Sequence, residues 1–531
     1  MDTMIPNSTS YYLFLSIGLF LAFYCVLSPP RGGRRVIPLL LFLCSISLVY
    51  SFAIQDPYLN MWDERFHALV AKNMQGSFLT PALYRDPVIA ADYSRWDRSV
   101  IWLHKPPFFL WQISLCYMLG GESEFTTRIP SIIGAGILVM ICYRAGYLLF
   151  SQRTGYFAAI ICTSNYYLIE LVSGRMEVDH CDVAFLLYCS LSFWALIEYF
   201  HSGNRNWVIL LGLFSGVAIL CKWLVGLVVY FSWVVFILGR LFHRRGIGEP
   251  SFLWRELRYI ALSAFVTSLV AAPWFIYTFH HFSPQTTQSI RFFGSHFHSI
   301  IEGHGGVRLF HLLNFHNLYG VWAAILFPFG IFLSWKKTPS KPIAMALISL
   351  PVAIYLFFSW SDTKMPGYPF VVAMIVFVLL GLAVAEIVTF LQRCTNRVTV
   401  KTLLEVTVVA VLLILNIQYF RIREKQSLTS YNGYCRLAGI QNKKVFAGLK
   451  GTVPANTVVF NVKGRTYVDC MFYSDLIAYN FIPSYSQYKE LKRKGRNILV
   501  FVDSGEELPP YLRNDPSVMV RHDGLRSCDQ E

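Results

Sequence analysis

Charge is what this sequence has least of: Asp, Glu, Lys and Arg make up only 15% of 531 residues, while 55% are hydrophobic and 16% aromatic. So few charges cannot coat one soluble core of that size. The apolar residues gather instead in runs of near-spanning length, which makes the chain a multi-pass membrane protein. No basic stretch interleaved with aromatics stands apart from these runs. The net charge of +15 is therefore read as Lys and Arg held in cytoplasmic loops, and no nucleic-acid partner is expected. The twelve cysteines lack the spacing of a disulfide scaffold and form no CxxC pair; most, such as Cys44, Cys142, Cys162 and Cys189, sit inside apolar runs as packing residues. No Walker loop, no zincin spacing and no internal repeat is present. The first apolar run has neither a basic n-region nor an A-x-A-like cleavage site, so it is read as a helix rather than a signal peptide.

What is present is about twelve spanning segments, near 11–28, 36–54, 130–149, 155–172, 182–200, 206–221, 223–239, 257–277, 317–334, 342–359, 367–390 and 401–419. The basic residues Arg31, Arg34 and Arg35, then Arg144 and Arg153, then Arg240, Arg244, Arg245, Arg255 and Arg258, then Lys336, Lys337 and Lys341, and finally Arg393, Arg397 and Lys401 fall in alternate loops. The positive-inside rule puts those loops in the cytoplasm and leaves 55–129, 173–181, 278–316, 360–366 and the tail from about 421 outside. "PPFFLWQISLCYML", from Pro106 to Leu119, is apolar but too short to span and reads as an interfacial helix. In the tail, "NTVVFNV" and "RNILVFVD" read as strands around a helical "SYSQYKELKRKG". The expected organisation is an extra N-terminal helix and loop over 1–35, a transmembrane domain over 36–420, and a small extracytoplasmic α/β domain over 421–531. Cys435, Cys470 and Cys528 fall in the last and allow one disulfide.

The expected outer segments hold nearly all the polar residues that resemble chemistry. "WDER" places Asp63, Glu64 and Arg65 just beyond an apolar run. Asp63 suits an N-terminal helix cap, and equally a general base that takes the proton of an attacking hydroxyl. "WLHKPPFFLW" sets His104 and Lys105 at the head of the interfacial helix, where a lysine either snorkels or meets lipid phosphate. "SGRMEVDHCD" supplies Arg175, Glu177, Asp179 and Asp182; a solvated turn explains most of them, but Asp182 opens a span. Lys222 in "CKWLVGL" and Lys364 in "FFSWSDTKMPGYPF" are each ordinary interfacial anchors when taken alone. Together with Lys105 and Arg175 they form a cationic pocket for a phosphate leaving group. Residues 278–316 carry seven of the 13 histidines. A divalent metal is left open there, at His296 and His298 with His104, against the alternative of interfacial histidines.

The order of WDER, HKPPFFLW, "EFTTRIPS" at 124–131, GR with Asp182, CKWLVGL, "AAPWF" at 271–275, "RFFGSHFH" at 291–298 and SDTKMPGYPF resembles the GT-C glycosyltransferases of the protein O-mannosyltransferase superfamily. Within it the chain is most similar to bacterial enzymes related to the lipid A 4-amino-4-deoxy-L-arabinose transferase. The resemblance runs from about residue 36 to 420. It implies a mainly α transmembrane bundle that moves a sugar from a polyprenyl-phosphate donor to an acceptor hydroxyl at the outer face of a bacterial inner membrane. Lipid A or another surface lipid or glycan is the acceptor it implies, with transfer to Ser or Thr of a protein as the alternative. Asp63, with Glu64, would be catalytic. Lys105, Arg65, Lys222, Lys364 and Tyr368 would hold the donor phosphate, and His104, Arg175, Asp179, Asp182 and His296 would line the substrate pocket. His104 stands where the lipid A transferases commonly carry Glu. A flippase or transporter is the rival from another class; the clustering of polar residues at one face and the lack of a repeat favour the enzyme.

Overall fold

A computed structural model of the chain describes residues 8–27, 33–90, 92–93, 95–176, 178–243, 250–338, 340–425, 427, 430–503 and 505–528. Glu177 and the basic residues Arg31, Arg244 and Arg245 lie outside the described residues. The chain opens with two long apolar helices, α1 (Ser8–Leu27) and α2 (Gly33–Ala53), packed against each other. The first expected outer segment then folds into α3 (Asp63–Met74) and α4 (Phe108–Gly120). At 13 residues α4 is too short to span, in line with the interfacial reading.

The bundle continues with α5 (Glu124–Leu149), α6 (Gln152–Thr163), α7 (Tyr166–Val172), α8 (His180–Ser202), α9 (Asn206–Lys222), α10 (Val228–His243) and α11 (Pro250–His281). The expected outer segment over 278–316 forms α12 (Ser283–Ser295), α13 (Phe310–Leu313) and α14 (Phe315–Tyr319). It is followed by α15 (Val321–Lys337), α16 (Lys341–Trp360), α17 (Ala373–Arg393) and α18 (Val398–Ile417). Among the described residues, nine helices are long and apolar enough to cross a membrane, or ten if the bent pair Phe310–Tyr319 and Val321–Lys337 is one span. This is a multi-pass membrane protein with the mainly α bundle expected from its sequence.

The count falls short of twelve for local reasons. The run expected over 155–172 breaks at Asn165, whose side chain accepts from the Leu168 amide and starts α7 afresh. The runs at 206–221 and 223–239 fall within one helical stretch, Asn206–Phe242, interrupted at Trp223 by a left-handed φ of 58°. Burial separates centre from rim. Helices α8 and α17 have 83% of their apolar windows buried, whereas α11 and α18 have 22% and 17% and present Phe265, Leu269, Leu403 and Ile414 outward. That outward surface suits lipid, because a bilayer costs exposed apolar side chains nothing.

The tail begins with α19 (Tyr419–Lys425) and α20 (Tyr431–Leu449). It then alternates β1 (Thr457–Phe460), α21 (Tyr467–Ser474), β2 (Ile477–Ala478), α22 (Tyr485–Arg493), β3 (Asn497–Phe501), α23 (Pro510–Arg513) and β4 (Val518–Arg521). The four strands are all parallel, in the order β2-β1-β3-β4. β1 and β3 have every residue buried or nearly so, as a parallel sheet covered on both faces requires. Cys435 pairs with Cys528, while Cys470 stays a buried free thiol.

Candidate active site

Arg128 and Glu64 fix the start of α3. The Arg128 Nε donates to Glu64 Oε1 at 2.7 Å and one terminal nitrogen to Glu64 Oε2 at 3.0 Å. Its other bonds go to the carbonyls of Ala53, Asp56 and Tyr58 at 2.7–2.8 Å, so all five guanidinium N–H groups are used. Glu64 is fully buried and also accepts from the Asn60 backbone amide at 2.5 Å, with His180 Nε2 at 3.2 Å. Burial opposes its ionisation, but the Arg128 charge and the His180 and Arg128 hydrogen bonds outweigh burial and hold the carboxyl well below its usual range. Gly174, at φ 70°, lets the next loop pass close by: a Cβ there would stand 2.3 Å from Glu64 Oε1. Glu64 therefore anchors the loop, and it is not among the residues that line the cavity beside Asp63.

One residue earlier the geometry reverses. The helix starts at Asp63 itself, after Trp62 in a left-handed conformation (φ 65°), and no side chain caps it. The expectation that Asp63 is the cap is thus corrected, and its carboxylate faces a cavity of about 230 Å³ instead. Burial pushes that carboxyl above the usual carboxylate range, with the charges of His67 and Lys105 pulling only part of the way back. His67 stands one helical turn on, its Nε2 4.0 Å from Asp63 Oδ2 and its Nδ1 2.7 Å from Asp179 Oδ1. Burial works against the imidazolium, but the carboxylates of Asp179 and Asp63 raise its pKa. Asp179 caps α8 through the Cys181 amide.

The cavity gathers residues from every expected outer segment of the bundle. Asp63, Trp62, Trp96, His104 and Lys105 come from the first, Asp182 and Lys222 from helix ends, and His296, Glu302 and His304 from the His-rich segment. Tyr368 closes the set from the 365–371 turn. Lys222 pairs with Asp182 at 2.6 Å and lies 5.5 Å over the Tyr368 ring. Lys105 makes no hydrogen bond or ion pair among the described residues, so its charge is directed at the cavity alone. His104 stacks on Trp96 at 4.6 Å, and burial together with Lys105 keeps it neutral well below its usual range. His296 is lowered by burial as well. Trp96 donates to Glu302 at 2.9 Å and so ties the 55–129 segment to the 278–316 segment.

Besides Glu64 and Asp179, which are not among the cavity-lining residues, four expected site residues lie elsewhere. Arg65 reaches Asp469 at 3.4 Å and lines the junction with the tail domain, not the cavity. Arg175 binds Glu170 and Asp56, each at 2.9 Å, within the same buried frame as Arg128. Lys364 donates to the carbonyls of Phe358 at 3.1 Å, Ser359 at 2.8 Å and Ser361, closing the C-terminus of α16. Its ammonium is thus engaged by the turn, and Lys364 is not among the cavity-lining residues. His298 is absent from the cavity lining, so His104, His296 and His298 are not brought together as a metal set.

The group that does converge among the described residues is Asp63, His67 and Asp179, with ligand atoms within 4.8 Å of one another. The buried His67 Nε2 and Asp179 Oδ2 have no hydrogen-bond partner, so this N/O donor set fits a divalent cation. Such an ion would supply positive charge beside Asp63. His67 was not singled out from the sequence, although its place four residues after Asp63 on one helix face was the available signal.

Residues 104–292 match the dolichyl-phosphate-mannose-protein mannosyltransferase family. The chain is 28% identical over 285 residues to an undecaprenyl phosphate-alpha-4-amino-4-deoxy-L-arabinose arabinosyl transferase of Pseudomonas paraeruginosa, covering 50% of this chain and 47% of that protein. The chain thus spans about half the length of that curated relative. Its fold is similar to that of ArnT from Cupriavidus metallidurans in the apo state, with a TM-score of 0.63 at 18% identity over 86% of this chain and 91% of that one. The same protein bound to undecaprenyl phosphate gives a TM-score of 0.61 at 17% identity, over 87% and 88%. These likenesses bear out the resemblance read from the order of the motifs.

Proposed function

We propose, for a chain with the GT-C glycosyltransferase fold and sequence likeness to the aminoarabinose transferases, that it moves a sugar from a polyprenyl-phosphate donor to an acceptor hydroxyl. The observation that carries this reading is the convergence of Asp63 with the partnerless Lys105 in one aromatic-walled cavity. In the reaction the acceptor oxygen attacks the anomeric carbon as the bond from that carbon to the phosphate oxygen breaks. The acceptor proton passes to Asp63, whose raised pKa makes it a better base than a solvated carboxylate. The phosphate leaves with the bonding electrons, and Lys105 neutralises it in a setting where water is largely excluded. His67, held by Asp179, brings its Nε2 to 4.0 Å from Asp63, and its charge moderates the rise in the Asp63 pKa.

Phe292, Phe293, Trp223 and Phe358 give the wall beside the cations an apolar character suited to the first isoprene units of the donor. A surface lipid or glycan hydroxyl is the acceptor we favour. The cavity, the Lys105 loop and the tail domain face the extracytoplasmic side on the basis of the Lys and Arg distribution. The test is transfer from a synthetic polyprenyl-phosphate sugar by purified, folded protein with Lys222 and Lys105 each replaced by Met. Donor affinity falls in both if the reading holds; unchanged affinity in both contradicts it.

A further inference from the structure

The tail sheet has a feature that the transfer reaction does not use. Its strand order β2-β1-β3-β4 means that the chain leaves β1 toward one side, to β2, and then returns to the other side, to β3. In open parallel sheets the connections part at such a switch point and leave a crevice beyond the carboxyl ends of the strands, where ligands bind. A cleft of about 390 Å³ lies there. All four strands feed it: Asn461 and Lys463 follow β1, Asn480 follows β2, Glu506 lies beyond β3, and Asp523 follows β4.

The lining chooses the ligand class. Asn461 is held in a left-handed conformation (φ 58°), and its amide donates to the Phe501 carbonyl at 2.8 Å and toward both Glu506 oxygens at 3.0 Å. This fixes the Glu506 carboxylate at the rim. Lys463 is paired with Asp503 at 2.5 Å, and Asp523 with Arg521 at 2.8 Å. A free phosphate or nucleotide would meet three carboxylates and one already paired lysine, so an anion is disfavoured. Planar carboxylates and amides in alternation, over a floor of buried Phe501, Val502 and Leu525, match a ring that offers hydroxyls as both donors and acceptors above an apolar face.

The same loop links the cleft to the candidate active site. Two residues after Lys463, the Arg465 guanidinium lies 4.6 Å from the ring centre of Trp62 and 5.4 Å from that of Trp96, both of which line the Asp63 cavity. We infer that the cleft at the carboxyl ends of β1 and β3 is a saccharide-binding site that docks the glycan part of the acceptor while its hydroxyl is presented to Asp63. The acceptor role rests on the proposed transfer reaction; the binding of a saccharide does not.

The experiment is saturation-transfer NMR on the full chain in detergent, with the neutral disaccharides lactose, maltose and N,N′-diacetylchitobiose as probes and inorganic phosphate as the anionic counter-probe. At least one disaccharide gives signals that drop tenfold or more in both Glu506→Gln and Asn480→Ala and persist in Asp63→Asn. Glu506→Gln also raises the acceptor KM with kcat at saturating acceptor unchanged. No disaccharide signal in the parent protein, signals unaltered by both substitutions, or phosphate bound at Glu506 in their place would overturn the inference while leaving the transfer reaction standing. Full transfer activity in Asp63→Asn would remove the reaction and leave the saccharide site intact.

Discussion

Two clusters of charge meet at the first turn of α3, and they are built on opposite plans. In the frame behind the helix, Glu64, Arg128, Asp56, Arg175 and Glu170 are joined by ion pairs, and Arg128 leaves no N–H unused, although one terminal nitrogen of Arg175 is buried without a hydrogen-bond partner. In the cavity ahead of it, Asp63 lies 4.0 Å from its nearest cation and Lys105 has no partner among the described residues. The difference teaches which charges hold shape and which are held ready. A saturated buried ion pair resists change, because removing either partner strands the other. An unsaturated one keeps its field for whatever enters.

Breaking the frame has the largest expected effect. Arg128→Ala strands the Glu64 carboxylate and three carbonyls, and it lowers stability by about 3–5 kcal/mol. Thermal unfolding of the purified protein in detergent reads this out. Arg128→Met with Glu64→Met recovers part of the loss, since two apolar groups leave no buried charge behind.

On the cavity side, Lys105→Met weakens binding of polyprenyl phosphate roughly tenfold to a hundredfold, as the loss of a charge-assisted contact predicts. Its melting temperature stays near that of the parent. Lys364→Met gives the reverse pattern in the same titration: donor affinity holds and the melting temperature falls. If Lys364→Met alone loses donor affinity, the two lysines have been assigned to the wrong clusters.

Smaller changes sharpen the boundary. Gly174→Ala adds a methyl group against Glu64 at a left-handed position and costs about 1–3 kcal/mol. It shifts the start of α3, so turnover drops along with stability. In the pH–rate profile, the acidic limb lies above the ordinary carboxylate range, because burial raises Asp63 and only its deprotonated form accepts the hydroxyl proton. The His67 charge lowers the Asp63 pKa, so His67→Asn moves that limb to higher pH. A limb that stays in place after this substitution would separate His67 from the base.

The bundle, the short α4 and the strand–helix–strand core of the tail were legible because apolar runs, alternation and turn residues are local properties. Asp63, Lys105, Lys222 and Asp182 were legible for a related reason: charge asymmetry placed their segments on one side, and one cavity collects them, together with Tyr368, which only the family resemblance had pointed to. Arg65, Arg175 and Lys364 were not. Asp469 and Asp56, the partners of Arg65 and Arg175, are chosen by tertiary packing that a motif does not encode, whereas Lys364 folds back on the carbonyls of Phe358 and Ser359, local partners that its motif did not reveal. Glu64 illustrates the limit most sharply, since it adjoins Asp63 in sequence and its partner Arg128 is 64 residues away.

The central division of labour is tested most directly by Asp63→Asn and Glu64→Gln, made in parallel and measured for both turnover and melting temperature. Asp63→Asn is expected to lose roughly 10²–10⁴-fold in transfer rate with its melting temperature unchanged, while Glu64→Gln loses thermal stability first. Transfer at the parent rate by folded Asp63→Asn would contradict the account.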